Sequence, residues 1–135
     1  MIQITRKMYE KMIEHSKKEV PIEACGYLSG KNGLILKLYE MENLDKSSEH
    51  FSMNPREQFH AVKEIRKEKM ELYGIYHSHP LTPSRPSEED IRLAYDPDIL
   101  YFIVSLSGET PVVNAFWIKE GRVEKEELEV IDERI

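Results

Sequence analysis

The residues best suited to chemistry are His77-Ser78-His79-Pro80 and, after six intervening residues, Ser87-Glu88-Glu89-Asp90. Two imidazoles and a carboxylate at these spacings can assemble an open metal site, with three protein ligands and a fourth position for water. Residues two apart on a strand share a face, so His77 and His79 at a strand end converge while Ser78 points away. Asp90 lies eleven positions after His79, and only a loop that reverses direction returns its carboxylate to the imidazoles. Pro80, Pro83 and Pro86 stiffen that loop.

Two neutral imidazoles and one carboxylate suit zinc, whereas calcium or magnesium call for more oxygen ligands. Zinc held by three protein ligands lowers the pKa of its bound water from ~15.7 toward ~7, which makes hydrolysis the leading expectation. A carboxylate beside that water is needed to take its proton and hand it to the leaving group. Glu23, in Pro21-Ile22-Glu23-Ala24-Cys25-Gly26, is the candidate.

Each residue also has a plainer reading. A His-x-His pair is common as surface or core histidine, and Ser87-x-x-Asp90 after Pro86 fits a helix capping box. Glu23 fits a solvated residue ahead of a strand, and Cys25, two positions on, fits a small buried side chain better than a redox-sensitive one. The joint spacing argues otherwise. If each of five specified positions is matched about one time in twenty, His-x-His-Pro-x6-Ser-x-x-Asp arises by chance on the order of once in a few million starts.

The bulk composition narrows the setting. A chain of 135 residues fits one domain, residues 1–135, able to bury a core without disulfides. Charged residues make up 33% and hydrophobic ones 40%, the mix of a soluble globular protein, with no run long enough to cross a bilayer. The first residues do not read as a secretory signal, so a cytoplasmic location is expected. Net charge is −6 with basic residues dispersed among acidic ones, which disfavours nucleic acid as a partner. Cys25 is the only cysteine, so histidine and carboxylate must hold any metal.

The elements that position these groups follow from patterning. Thr5 caps a helix to about Glu19, with Met8, Met12 and Ile13 as its apolar stripe. Ala24 to Ser29 and Leu34 to Tyr39 read as a hairpin about the turn Gly30-Lys31-Asn32-Gly33. Asn43 to Glu49 reads as loop, and His50 to Met53 as a short strand. Asn54, Pro55 and Glu57 start a helix whose buried face is Phe59, Val62 and Ile65. Leu72 to His77 reads as a central strand, Ser87 to about Ala94 as a short helix, and Leu100 to Ser105 as a strand buried on both faces. Val112 to Ile118 and Val123 to Ile131 complete the set about Glu120-Gly121. The order is that of an α+β fold, a mixed sheet with helices packed on it.

With these residues in place, the chain resembles the JAMM metalloprotease family, also called MPN-plus, in its small bacterial and archaeal form. The match is His77-Ser-His79-Pro80, six residues, then Ser87-Glu-Glu-Asp90, joined by Glu23 in Glu-x-Cys-Gly-Tyr-Leu-x-Gly. The resemblance implies a curved sheet flanked by helices, one zinc ion per chain on His77, His79 and Asp90, and Glu23 as general acid/base. It further implies that Ser87 donates a hydrogen bond to the oxyanion of the tetrahedral intermediate, a role compatible with capping. Family members cleave amide bonds, often isopeptide bonds, after the Gly-Gly tail of ubiquitin-like proteins. The implied partner is therefore a ubiquitin-like or sulfur-carrier protein with an extended C-terminal tail, which can lie beside a sheet edge as an added strand. A homodimer is compatible with this reading.

The competing class is a metal-free MPN module that only binds protein partners, although such modules typically lack part of the ligand set that is complete here. A nucleoside-type zinc deaminase requires His-x-Glu and Pro-Cys-x-x-Cys, which are missing. The helical His-Glu-x-x-His protease motif is missing too.

Overall fold

A computed structural model describes residues 1–132. The elements in chain order are β1 (Ile2–Thr5), α1 (Arg6–Glu19), β2 (Cys25–Lys31), β3 (Leu34–Met41), α2 (Pro55–Lys67), β4 (Glu71–His79), α3 (Glu88–Arg92), β5 (Leu100–Ser105), β6 (Val112–Lys119), β7 (Arg122–Glu126) and β8 (Leu128–Ile131). The strands form one sheet in the order β7-β6-β5-β4-β2-β3-β1-β8. Pairs β1/β3, β1/β8 and β4/β5 are parallel and the others antiparallel, so the sheet is mixed as expected.

Strand alternation separates two apolar faces. Leu28, Tyr76, Phe102 and Val104 pack with Met8 and Met12 of α1 on one face. Cys25, Tyr27 and Met41 pack with Ala61 of α2 on the other. Tyr101, Ile103, Phe116 and Ile118 continue that second face toward Ile91 of α3. β5 is buried at all six positions because it is covered on both sides.

Local chemistry accounts for the element ends. Thr5 Oγ1 accepts the Met8 N–H at 3.3 Å and opens α1. Asn54 Oδ1 accepts the Arg56 N–H at 2.9 Å, with Pro55 as the first residue of α2. The β2/β3 hairpin turns on Asn32 and Gly33, both at positive φ (52° and 77°), a conformation suited to Asn-Gly in a two-residue turn. Gly26 is required for a different reason: a Cβ there would meet the Tyr39 carbonyl and the Tyr76 ring.

Four expectations are revised. Residues 2–5 form a strand that the sequence pattern did not reveal, because four residues carry too little periodicity. Phe59 is 71% exposed, and Ala61 and Ile65 face the sheet instead. Phe59 sits about 200° around the helix from Ala61, so both cannot share one stripe. Residues 50–53 make only an isolated bridge, Asn43 with Met53. Val123 to Ile131 divides into β7 and β8, which occupy opposite edges of the sheet with Glu127 alone between them. Two edges joined by one residue require the sheet to curl almost into a barrel, and the Ile2 N–H bonds the Glu127 carbonyl at 2.9 Å across that seam. The curvature implied by the resemblance thus has a covalent cause.

Replacing Gly26 with alanine is expected to lower unfolding free energy by about 2–3 kcal/mol through overpacking against Tyr39 and Tyr76. Urea denaturation measures this, and an unchanged midpoint would contradict the close approach.

Candidate metal centre

The site is assembled at the C-terminal end of β4. His77 pairs with Cys25 of β2 on one side and Ile103 of β5 on the other, which fixes the strand end from both flanks. Alternation puts His77 and His79 on the face covered by α2 and α3, and both are buried (2% and 4% exposed). Ser78 points to the opposite face, where its Oγ accepts the Ala24 N–H at 2.7 Å and its own N–H donates to the Ala24 carbonyl at 3.0 Å. Carrying that antiparallel register one step further sets Glu23 across from His79, and directly opposed residues share a face.

Three donor atoms converge. His77 Nε2 lies 3.1 Å from His79 Nε2 and 3.1 Å from Asp90 Oδ2, and His79 Nε2 lies 3.0 Å from the same oxygen. Asp90 arrives on α3, where it also closes a capping box. Its Oδ2 accepts the Ser87 N–H at 2.9 Å, while Ser87 Oγ accepts the Asp90 N–H at 3.0 Å. The capping and site readings of Ser-x-x-Asp therefore meet in one side chain. Ser87 is exposed, and accepting the Asp90 N–H leaves its hydroxyl proton free to donate.

The protonation pattern calls for a cation. His79 Nδ1 faces the Pro83 carbonyl at 2.9 Å, and a carbonyl only accepts, so the ring proton of neutral His79 sits on Nδ1. His79 Nε2 is then a lone pair confronting the Asp90 carboxylate, and the contact is favourable only with positive charge between them. A proton can supply that charge: burial lowers the His79 pKa, but the Asp90 carboxylate, the Pro83 carbonyl and Glu23 outweigh it, so the net shift is upward. A metal ion can supply it too. Ligand bonds of ~2.0–2.1 Å in a tetrahedron place donor atoms about 3.3 Å apart, close to the separations observed. The His79–Pro83 bond is also the outer contact that fixes ligand tautomers. His77 lacks such a contact, since its Nδ1 is buried without a partner among the described residues, and its ring is held instead by stacking on Phe51 (centroids 4.8 Å, interplanar angle 27°).

The two carboxyls are driven in opposite directions. Burial raises the Asp90 pKa, but its contacts with His77 Nε2 and His79 Nε2, and the positive charge those rings can carry, prevail and hold it well below the usual carboxylate range. Burial pushes Glu23 up to about 8, with His79 opposing and Asp90, Glu89 and Glu49 adding to the rise. Glu23 Oε1 has no hydrogen-bond partner among the described residues, and the residue is 3% exposed. Burial likewise pushes the Cys25 thiol up to about 12, in keeping with a fully buried, packed side chain.

A cleft of about 330 Å³ opens beside His77 and Asp90, walled by Phe51, Met53, Ile75, Leu93, Tyr101 and Ile103. Its outer wall is the 43–53 loop, organised by the buried Asn43, whose Nδ2 donates to the carbonyls of Glu23 and His50, both at 3.0 Å. A larger groove of about 1280 Å³ between α1, β3 and β8 contains none of the converging residues. Both true sheet edges are remote from the site. β7 is three strands from β4, about 14 Å across the sheet, and the segment from Phe51 to Met53 lies nearer, lining the cleft beside His77. Of the five residues the sequence singles out, the structure brings His77, His79 and Asp90 together, and Ser78 points to the opposite face as alternation predicts; Asn43 and Phe51 carried no signal in the sequence.

Residues 5–119 match the family of prokaryotic homologs of the JAB domain. The chain is 31% identical over 112 residues to a desampylase of Pyrococcus furiosus, covering 83% of this chain and 77% of that one. It is 29% identical over 125 residues to the CysO-cysteine peptidase of Mycobacterium tuberculosis, covering 90% and 86%. A solution structure of a Desulfitobacterium hafniense protein is similar at a TM-score of 0.91 and 46% identity, covering 98% of this chain and 94% of that one. The chain belongs to the JAB family, the small prokaryotic branch of the JAMM/MPN proteins. No helix among the described residues is long and apolar enough to cross a membrane.

The buried Glu23 gives a pH-dependent prediction for chelator-treated protein. Its folded pKa exceeds its unfolded value, so protonated Glu23 is fully compatible with the fold below about 4.5 and stability is lost as pH rises toward 8. Glu23→Gln removes that titration. It is expected to stabilise the metal-free protein by about 2–4 kcal/mol at pH 8.5 and to change little at pH 4.5. Denaturant midpoints at the two pH values measure the difference, and equal effects at both would show that Glu23 is not buried as a carboxylate.

Proposed function

We propose that this chain is a zinc-dependent metallopeptidase or isopeptidase that cleaves an amide bond after the C-terminal Gly-Gly tail of a ubiquitin-like or sulfur-carrier protein. The observation that carries the reading is the triangle of His77 Nε2, His79 Nε2 and Asp90 Oδ2, with the Glu23 carboxyl opposite His79 and its Oε1 buried without a partner among the described residues. The names desampylase and CysO-cysteine peptidase, borne by two similar proteins, are those of bond-cleaving enzymes and support the same class.

His77, His79 and Asp90 would hold one zinc ion, which supplies Lewis-acid activation of water and of the scissile carbonyl. Glu23 takes the proton released from the attacking water onto its free Oε1 and returns it to the departing amine. Its buried setting suits both halves of that cycle, because a carboxyl poised near neutral pH can accept and donate. Ser87, held at the start of α3, directs its free hydroxyl proton toward the oxygen that gains charge as the carbonyl becomes tetrahedral. The narrow tail lies along the Phe51 to Met53 segment, where the apolar cleft beside His77 receives its flanking residues.

The test is incubation of zinc-loaded protein with fusions ending in Gly-Gly. Cleavage that stops with chelator and returns with zinc is expected. Glu23→Gln should retain zinc and lose nearly all turnover. Ser87→Ala should retain zinc and lose roughly a hundredfold in rate, as for other oxyanion donors. Asp90→Ala should lose metal. Protein purified without metal, inactive after zinc addition and unable to take it up, would leave the metal-free protein-binding module as the function.

A further inference from the structure

The loop from Pro80 to Pro86 joins two of the three converging residues, yet proline stiffness alone does not fix where it lies. Its anchor is Ser84, which is buried although the loop on either side of it is exposed. Ser84 Oγ donates to the Ile103 carbonyl at 2.6 Å and accepts the Asn114 N–H at 3.1 Å. Asn114 Nδ2 in turn donates to the Ser84 carbonyl at 3.0 Å. Ile103 and Asn114 are register partners on β5 and β6, and Ile103 is also the partner of His77 on β4. His77, Ile103 and Asn114 thus form one row across the sheet, and Ser84 is fastened to the far end of that row.

The residue next to this anchor is Pro83, whose carbonyl holds His79 Nδ1. We propose that Asn114 and Ser84 are positioning residues of the metal centre, fixing the Pro83 carbonyl and through it the ring orientation and tautomer of His79. The proposal rests on the reading of His77, His79 and Asp90 as metal ligands. Neither residue touches the triangle. Their effect travels through one carbonyl to one ring, so it acts on the geometry and basicity of a ligand and not on the number of ligands. Ser105, whose Oγ donates to the Thr82 carbonyl at 2.6 Å, steadies the loop one residue further back and does not replace the Ser84 contacts.

Asn114→Ala and Ser84→Ala test this, with Ser84→Thr as the variant that keeps the hydroxyl. Zinc affinity is read by competition with a chromophoric chelator, and ligand geometry by the visible spectrum of the cobalt(II)-substituted protein. Zinc affinity is expected to fall about tenfold in each alanine variant, the lower end of the effect of losing a direct outer contact to a ligand, because the Pro83 carbonyl is loosened and not removed. The cobalt bands should shift or weaken, and Ser84→Thr should restore both toward wild type. Alanine variants that bind zinc within twofold of wild type, with an unchanged cobalt spectrum, would overturn the proposal. Wild-type protein that binds neither metal would overturn the metal reading itself and the proposal with it. A variant that fails to fold, seen by circular dichroism, leaves the decision to the other alanine variant and to Ser84→Thr, whose loss of cobalt geometry despite an intact hydroxyl would count against the proposal.

Discussion

One oxygen atom ties the site together. Asp90 Oδ2 accepts from the Ser87 backbone and lies within 3.1 Å of both histidine Nε2 atoms. A five-residue helix has little stability of its own, since nucleation costs more than so few bonds return. α3 is held by the packing of Ile91 and by a carboxylate that serves at once as its cap and as its polar contact to β4. The strand end and the helix start therefore specify each other, and displacement of either removes the other's main polar partner.

The same economy leaves the centre electrostatically incomplete. The lone pair of neutral His79 faces a carboxylate, and Glu23 Oε1 is buried without a hydrogen-bond partner among the described residues. Ordinary cores avoid both arrangements, because unpaired buried polar groups cost more than a well-packed apolar substitute. Conflict with the usual rules of burial is concentrated here while the surrounding strands obey them, which is the pattern of a site retained for function. The apolar layers on either side, with Phe102 and Tyr76 fully buried on the α1 face, supply the stability that tolerates it.

Much of this was legible in the chain. The paired histidines follow from a period of two, and α2 from Asn54 and Pro55. The convergence of Asp90 was inferred from spacing, and capping box and site residue, posed as rivals, proved to be one device. What escaped was of a different kind. β1 is too short to show a pattern and exists because β3 and β8 flank it. Phe59 is apolar yet exposed, since the helix phase is set by Ala61 and Ile65. Asn43, Ser84 and Asn114 act by bonding to backbone atoms, which have no letter in a sequence.

The seam between β7 and β8 also sets the order in which the protein can be made. β1 pairs with residues 128–131, so Gln3 meets Glu129 across 126 positions, a contact of very high sequence separation. Such contacts form late, because loop-closure entropy is lost before they return anything. β2, β4 and β5, which carry or flank the converging residues, are all translated by Ser105. On a ribosome, the central strands and the His77-His79 end of β4 can pair while β1 still waits for its edge partner. The centre thus rests on pairings of much shorter sequence separation than the β1/β8 pairing that closes the sheet.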